Sequence, residues 1–236
     1  ASALACAPAA FAATPVDMLV VAGQIDDIIS MDPAQSFELS GQDVIKNLYD
    51  RMVDFDPVDL EAGIKPSLAE SWEVSDDGKT ITLTMRDGIK FQSGNPVRAE
   101  DAAWSLQRAV KLNLSPAFIL NQFGFTPDNV DQQVGFEGNK VILKLDQPYA
   151  QSYVLNSLAS EVASVVDKET VMSHAEGEDF GNKWLSTNSA GSGPFSLAAW
   201  KPNEAVQFAA NADYWQGGPA MKRVIVRNVQ ESSAQR

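Results

Sequence analysis

The stretch from Thr80 to Met85 alternates strictly, with Ile81, Leu83 and Met85 interleaved among Thr80, Thr82 and Thr84. A period of two residues marks a β-strand with one buried face, because successive side chains leave the backbone on opposite sides. Trp72 and Val74 precede it across Asp76-Asp77-Gly78-Lys79, a turn sequence in which glycine tolerates positive φ. Together they predict a hairpin over 72–85. Asp87-Gly88 marks a second turn before Ile89 and Phe91. Ala99, Ala103, Leu106 and Val110 then recur at helical spacing. Arg98 stands at the start of that helix, and arginine is a poor cap, so a loose helix start is expected.

The remaining segments mix the two periodicities. Met18 to Ala22 is a short apolar run read as a buried strand, followed by a loop through Phe37. Ser40 and Asp43 are spaced as a capping pair for a helix whose apolar face is Val44, Ile45, Leu48, Tyr49 and Met52, with Asp56-Pro57 closing the element. Val134 to Leu145 reads as a hairpin around Glu137-Gly138-Asn139, and Gln151 to Val171 as helical in parts. Gly191-Ser192-Gly193-Pro194 opens strands at Phe195–Leu197 and Val206–Phe208, and Val224-Ile225-Val226 is a final strand. No regular βαβ rhythm emerges, so the fold class is α+β, or irregular mixed α/β.

A chain of 236 residues is long enough to bury a sizeable core. Its formal net charge of -13 disfavours nucleic acid and anionic lipid headgroups as partners. The Ala-rich, nearly uncharged start ends in Ala10-Phe11-Ala12, which fits a signal-peptidase site, so residues 1–12 are expected to be a signal-peptide remnant and the protein periplasmic. Cys6, the single cysteine, lies inside that stretch. Leu4 is one place too close to it for a lipoprotein site, so plain cleavage near Ala12 is the expectation. No intrachain disulfide can form.

Chemistry is hard to find. His174 is the only histidine and reads as a surface residue, and no nucleophile elbow or zinc helix is present. Neither a metal nor a cofactor is expected, and no enzymatic role. A secreted hydrolase using two carboxylates is the alternative, with Asp26-Asp27, Asp54 and Asp56, Asp76-Asp77 or Glu100-Asp101 as candidate pairs. A purely structural envelope domain is a further alternative. The Gly191–Pro194 motif is too short to cradle a phosphate and reads as a tight turn. Phe37, Phe118, Phe123 and Phe125 fall in loop-like surroundings, where exposed rings can line a ligand cleft.

Five motifs in order resemble one family. They are Trp72 to Thr80, Arg86 to Phe91, Ala99 to Leu106, Gly191 to Phe195, and Asn211 to Pro219. Their sequence and separation are similar to the family 5 extracellular solute-binding proteins, peptide-binding receptors of bacterial ABC importers. The resemblance implies two lobes closing over a ligand, with this chain as the first lobe and the second lobe missing from it. The implied division is 13–57 as the first part of lobe I, 58–188 as a subdomain with hairpins and helices, and 189–236 as the returning part. It implies a monomer that binds a peptide or similar small solute and delivers it to a membrane permease. An opine, sugar or nickel chelate is the alternative ligand on the same scaffold. By position, Gln24, Ile25 and Asp26 after the first strand are the expected ligand-facing loop. Phe37 and Glu38 form a second loop, and Phe123 is a further candidate.

Overall fold

The computed structural model describes residues 14–56 and 58–231. Its elements begin with β1 (Met18–Gly23), α1 (Leu39–Leu48), β2 (Val53–Phe55) and β3 (Ile64–Pro66). The predicted hairpin follows as β4 (Ala69–Val74) and β5 (Thr80–Met85), and then α2 (Ala99–Leu112). Two short helices, α3 (Phe118–Asn121) and α4 (Val130–Gln133), lead to β6 (Val134–Glu137) and β7 (Lys140–Lys144). The chain continues through α5 (Gln151–Leu158), α6 (Lys168–Met172) and α7 (Asn182–Leu185) into β8 (Phe195–Lys201), β9 (Ala205–Ala210) and β10 (Arg223–Asn228). The architecture is the expected mixture of helix and strand. The expected signal remnant at 1–12, Cys6 included, lies outside the described residues. Among the described residues no helix is long and apolar enough to cross a membrane.

Two four-stranded sheets organise these elements. The first has the order β1-β10-β9-β8, and the second β4-β5-β7-β6. In the second sheet every pairing is antiparallel, and the alternation of β5 buries Ile81, Leu83 and Met85 as predicted. In the first sheet β1 runs parallel to β10, with Met18 opposite Arg223 and Gly23 opposite Asn228. β1 is not the buried strand expected: Leu19, Val20 and Val21 remain 44%, 40% and 39% exposed. It lies at the sheet edge, paired on one side only among the described strands.

Each sheet has its own core. Around the second sheet and α2 pack Leu83, Leu106, Val110, Val141, Val154 and their neighbours. Around α1 and the first sheet pack Ile45, Leu48, Tyr49, Val171, Leu185 and Phe208. Of the buried apolar residues in these cores, those from Met52 to Val165 belong to the second-sheet core, which Ala34 also joins, and those from Val166 onward to the other.

Two helix starts differ from expectation. Ser40 does not cap α1: it lies within the helix, and its hydroxyl donates instead to the Gln24 carbonyl at 2.8 Å. The start of α2 is not loose, because the Asp101 carboxylate accepts the Arg98 backbone N–H at 3.0 Å. That bond satisfies an otherwise orphaned donor without any help from the arginine side chain.

An ion pair links the two halves. Arg108 of α2 donates through Nη1 and Nη2 to the two carboxylate oxygens of Asp32, at 2.8 and 2.6 Å. Its Nε donates to the Phe180 carbonyl at 2.8 Å. The Gly191–Pro194 motif meets the end of α1 backbone to backbone. A Cβ on Gly191 would sit 2.1 Å from the Leu48 carbonyl oxygen, and one on Gly193 2.6 Å from the Leu48 carbonyl carbon. Glycine is there for close approach rather than for a turn.

Candidate functional site

Because β1 and β10 are parallel neighbours, their carboxyl ends emerge side by side and their following loops meet. In open parallel α/β sheets ligands bind outside the carboxyl ends of the strands, and β1 with β10 is the parallel pair of this otherwise antiparallel sheet. The two loops are stitched together. Val229 N–H donates to the Gly23 carbonyl at 2.9 Å, Ile25 N–H to Asn228 Oδ1 at 3.1 Å, and Gln230 Nε2 to Asp26 Oδ2 at 3.1 Å. Ile25 is buried and pins the loop, while Gln24, Asp26 and Asp27 stay exposed. The Ser40–Gln24 bond ties the same loop to the start of α1. Gln24, Ile25, Ser40, Val44, Phe208 and Val226 line a largely apolar recess of about 270 Å³ beside it.

The second expected loop stands on the same helix start. Phe37 is 42% exposed and meets Phe118, 56% exposed, edge to face at 5.6 Å between ring centroids. Phe118 opens α3, so this aromatic pair spans the elements of both cores. Glu38 is half-buried, and its Oε2 accepts from the Phe37 N–H at 3.1 Å and from Ser36 Oγ at 3.4 Å. Gln42 Nε2 donates to the Phe37 carbonyl at 3.1 Å, which fixes the loop against the helix.

Phe123, expected to line a cleft, is a core residue instead. It is 1% exposed and packs against Phe125, Tyr149 and Tyr153 at centroid distances of 6.4, 5.1 and 5.5 Å. Phe125 is buried with it. The loop-like composition hid a hydrophobic cluster in which these aromatics are the packing material.

Most of the carboxylates considered for acid–base chemistry are engaged in ordinary contacts. Asp77 accepts from Ser75 Oγ at 2.6 Å and Lys79 N–H at 3.0 Å, as turn aspartates do. Asp56 accepts the Val58 and Asp59 N–H groups at 2.8 and 3.0 Å. Asp54 pairs with Arg51 at 2.5 Å and Glu100 with Lys168 at 2.5 Å. His174 is exposed and stacks on Trp184, with ring centroids 4.3 Å apart.

Asp50, which sequence reasoning passed over, is a buried carboxylate held by three side-chain donors. It accepts from Ser192 Oγ, Tyr214 Oη and Trp215 Nε1 at 2.8, 2.9 and 3.1 Å. Burial pushes its carboxyl up, and those three donors and Arg51 oppose the rise. The three donors come from the Gly-Ser-Gly-Pro and Asp-Tyr-Trp motifs, so this knot explains why those distant motifs occur together. Asp50 follows Tyr49 directly at the end of the α1 apolar face, which was the available sign that it would be buried.

The model of the bacterial extracellular solute-binding proteins, family 5 Middle, matches residues 63–236. The probable D,D-dipeptide-binding periplasmic protein DdpA of Escherichia coli (strain K12) is 34% identical over 233 residues, covering 97% of this chain and 42% of DdpA. The glutathione-binding protein GsiB of the same organism is 30% identical over 228 residues, 96% of this chain and 40% of GsiB. Among solved structures, the ABC transporter-associated periplasmic binding protein DppA from Helicobacter pylori, in complex with peptide STSA, superposes with a TM-score of 0.74 at 25% identity. That match covers 92% of this chain and 43% of DppA. The chain thus spans about two fifths of the length of the relatives it matches.

Proposed function

Because the chain belongs to the bacterial extracellular solute-binding proteins, family 5, we propose that it is part of a periplasmic receptor that captures a small peptide for an ABC importer. The receptor is read as a monomer that hands its ligand to a membrane permease. The observation that carries this reading is the crest at the carboxyl ends of β1 and β10. There the exposed Asp26 carboxylate, the Gln24 side chain and the apolar recess lie together, tied through Ser40 to the helix start that follows Phe37 and Glu38.

The chemistry suits a short peptide. Asp26 offers a carboxylate to a ligand ammonium, a charge-assisted contact that is shorter and stronger than a neutral one. Phe37 and Phe118 offer rigid apolar surface to a side chain, at little entropic cost. The ligands named for DdpA, GsiB and the Helicobacter DppA complex are peptides or peptide-like, which supports the same class here. A solute-binding role also accounts for the carboxylate contacts. A hydrolase needs two free carboxylates in one cleft with separated pKa values, whereas Asp54, Asp56, Asp77 and Glu100 each serve a turn or an ion pair.

The test is to purify the full-length protein natively and release its ligand into a mass spectrometer. A di- to tetrapeptide is expected. An empty protein that fails to bind any member of a dipeptide library, or one that copurifies only with a non-peptide solute, contradicts the assignment.

A further inference from the structure

At the carboxyl end of α1 lies a cleft of about 710 Å³, walled in part by Lys46, Arg51, Asp54, Lys65, Asn156 and Tyr214. None of Gln24, Ile25, Asp26 or Phe37 lines it. Arg51 is 5% exposed, and among the described residues its guanidinium has one partner, Asp54, through Nη2. Nε and Nη1 are buried without a hydrogen bond, and so is the hydroxyl of Ser164, whose backbone bridges to that of Arg51. Buried donors are costly unless an acceptor meets them, and charged ones more so.

The neighbouring protein acceptors do not close this gap. Asp50 is already engaged by Ser192, Tyr214 and Trp215. Lys46 and Lys65, on the same wall, have only loose ion pairs, with Glu161 at 3.4 Å and Asp56 at 3.6 Å. Each ammonium carries three donors, so the wall has donors to spare.

We propose that this cleft is a second binding site, taking the carboxylate of a small organic acid with Arg51 as the main recognition group. The proposal stands apart from the reading of the crest and does not depend on it. Asp54 acts as the gate. Its side chain is 30% exposed, so it can turn toward solvent and free Nη2, leaving the Nη1–Nη2 fork for the incoming carboxylate. A monocarboxylate fits better than phosphate, because Asp50, Asp54 and Glu161 on the same wall repel a doubly charged anion more strongly.

Calorimetry on the full chain tests this with three probes at fixed ionic strength: N-acetylglycine, its neutral amide, and inorganic phosphate. The acid is expected to bind saturably, at least about tenfold more tightly than the amide or phosphate, a gap of 1.4 kcal/mol. Arg51→Gln should abolish binding. Asp54→Asn, which removes the competing carboxylate, should tighten it several-fold, a direction that a merely structural Arg51–Asp54 pair does not predict. Equal binding of acid and amide, tighter binding of phosphate, or unchanged affinity in Asp54→Asn overturns the proposal. The Asp54 variant keeps the test decisive if Arg51→Gln fails to fold.

Discussion

Replacing Asp32 with asparagine should destabilise the protein by about 3–5 kcal/mol, the cost of breaking a buried ion pair from one side. Asp32 is 0% and Arg108 1% exposed, so water cannot compensate the stranded guanidinium. The local count agrees. The carboxylate accepts four bonds: Arg108 Nη1 and Ala34 N–H on one oxygen, Arg108 Nη2 and Asn182 Nδ2 on the other. Asparagine keeps one acceptor and turns an NH₂ toward the second pair of donors. Two bonds are lost, at least one of them charged and worth about 1.5–3 kcal/mol. For a protein of this size each kcal/mol moves the melting temperature by about 2–4 °C, so a fall of roughly 6–20 °C is expected by calorimetry. The double variant Asp32→Leu with Arg108→Met removes both charges and should recover at least half of the loss, because the penalty lies mainly in the stranded charge. A loss below about 1 kcal/mol in Asp32→Asn, the value of an exposed pair, would refute the reasoning. So would a double variant as unstable as the single one.

Gly191→Ala should cost about 1–3 kcal/mol or more, since its Cβ would press on the Leu48 carbonyl, whereas Gly135→Ala has nothing within 4 Å and should be near neutral; urea midpoints of the two variants check this. Asp167 predicts the acid limb of stability. Burial pushes its carboxyl up, but hydrogen bonds from Ser93, Thr170 and Asn95 outweigh that and leave it below the ordinary value. A lowered folded-state pKa stabilises above the unfolded value, about 3.9, and that contribution disappears as pH falls through the folded one. Asp167→Asn should therefore be less stable at neutral pH and show a shallower loss of stability on acidification, read from urea midpoints at several pH values. An unchanged acid slope would contradict this.

Local periodicity explains what could be read from the sequence. The hairpin at 72–85 and the helix from Ala99 were legible because their apolar residues recur at two and at 3.6 residues and the turn residues bound them. The family motifs were legible for a different reason: Gly191, Gly193, Tyr214 and Trp215 converge on the end of α1 and on Asp50, a packing need that keeps their residue types together. What escaped was long-range. Nothing near Asp32 announces Arg108, 76 positions away, and nothing in the run around Phe123 separates a core aromatic from an exposed one such as Phe118. The exposure of β1 was hidden because a short apolar run reads alike at an edge and at a centre. Of the candidate crest, the loop after β1 could be placed by position, while its partner loop at Asn228–Gln230 needed the parallel pairing of β1 and β10.

The account depends most on solute capture at the carboxyl ends of β1 and β10. Backbone hydrogen exchange of the full-length protein, with and without a saturating dipeptide, tests this directly. The prediction is slowed exchange at 24–27, 37–40 and 228–230. Protection confined to 46–54, or none anywhere in the chain while the dipeptide is bound, would contradict it.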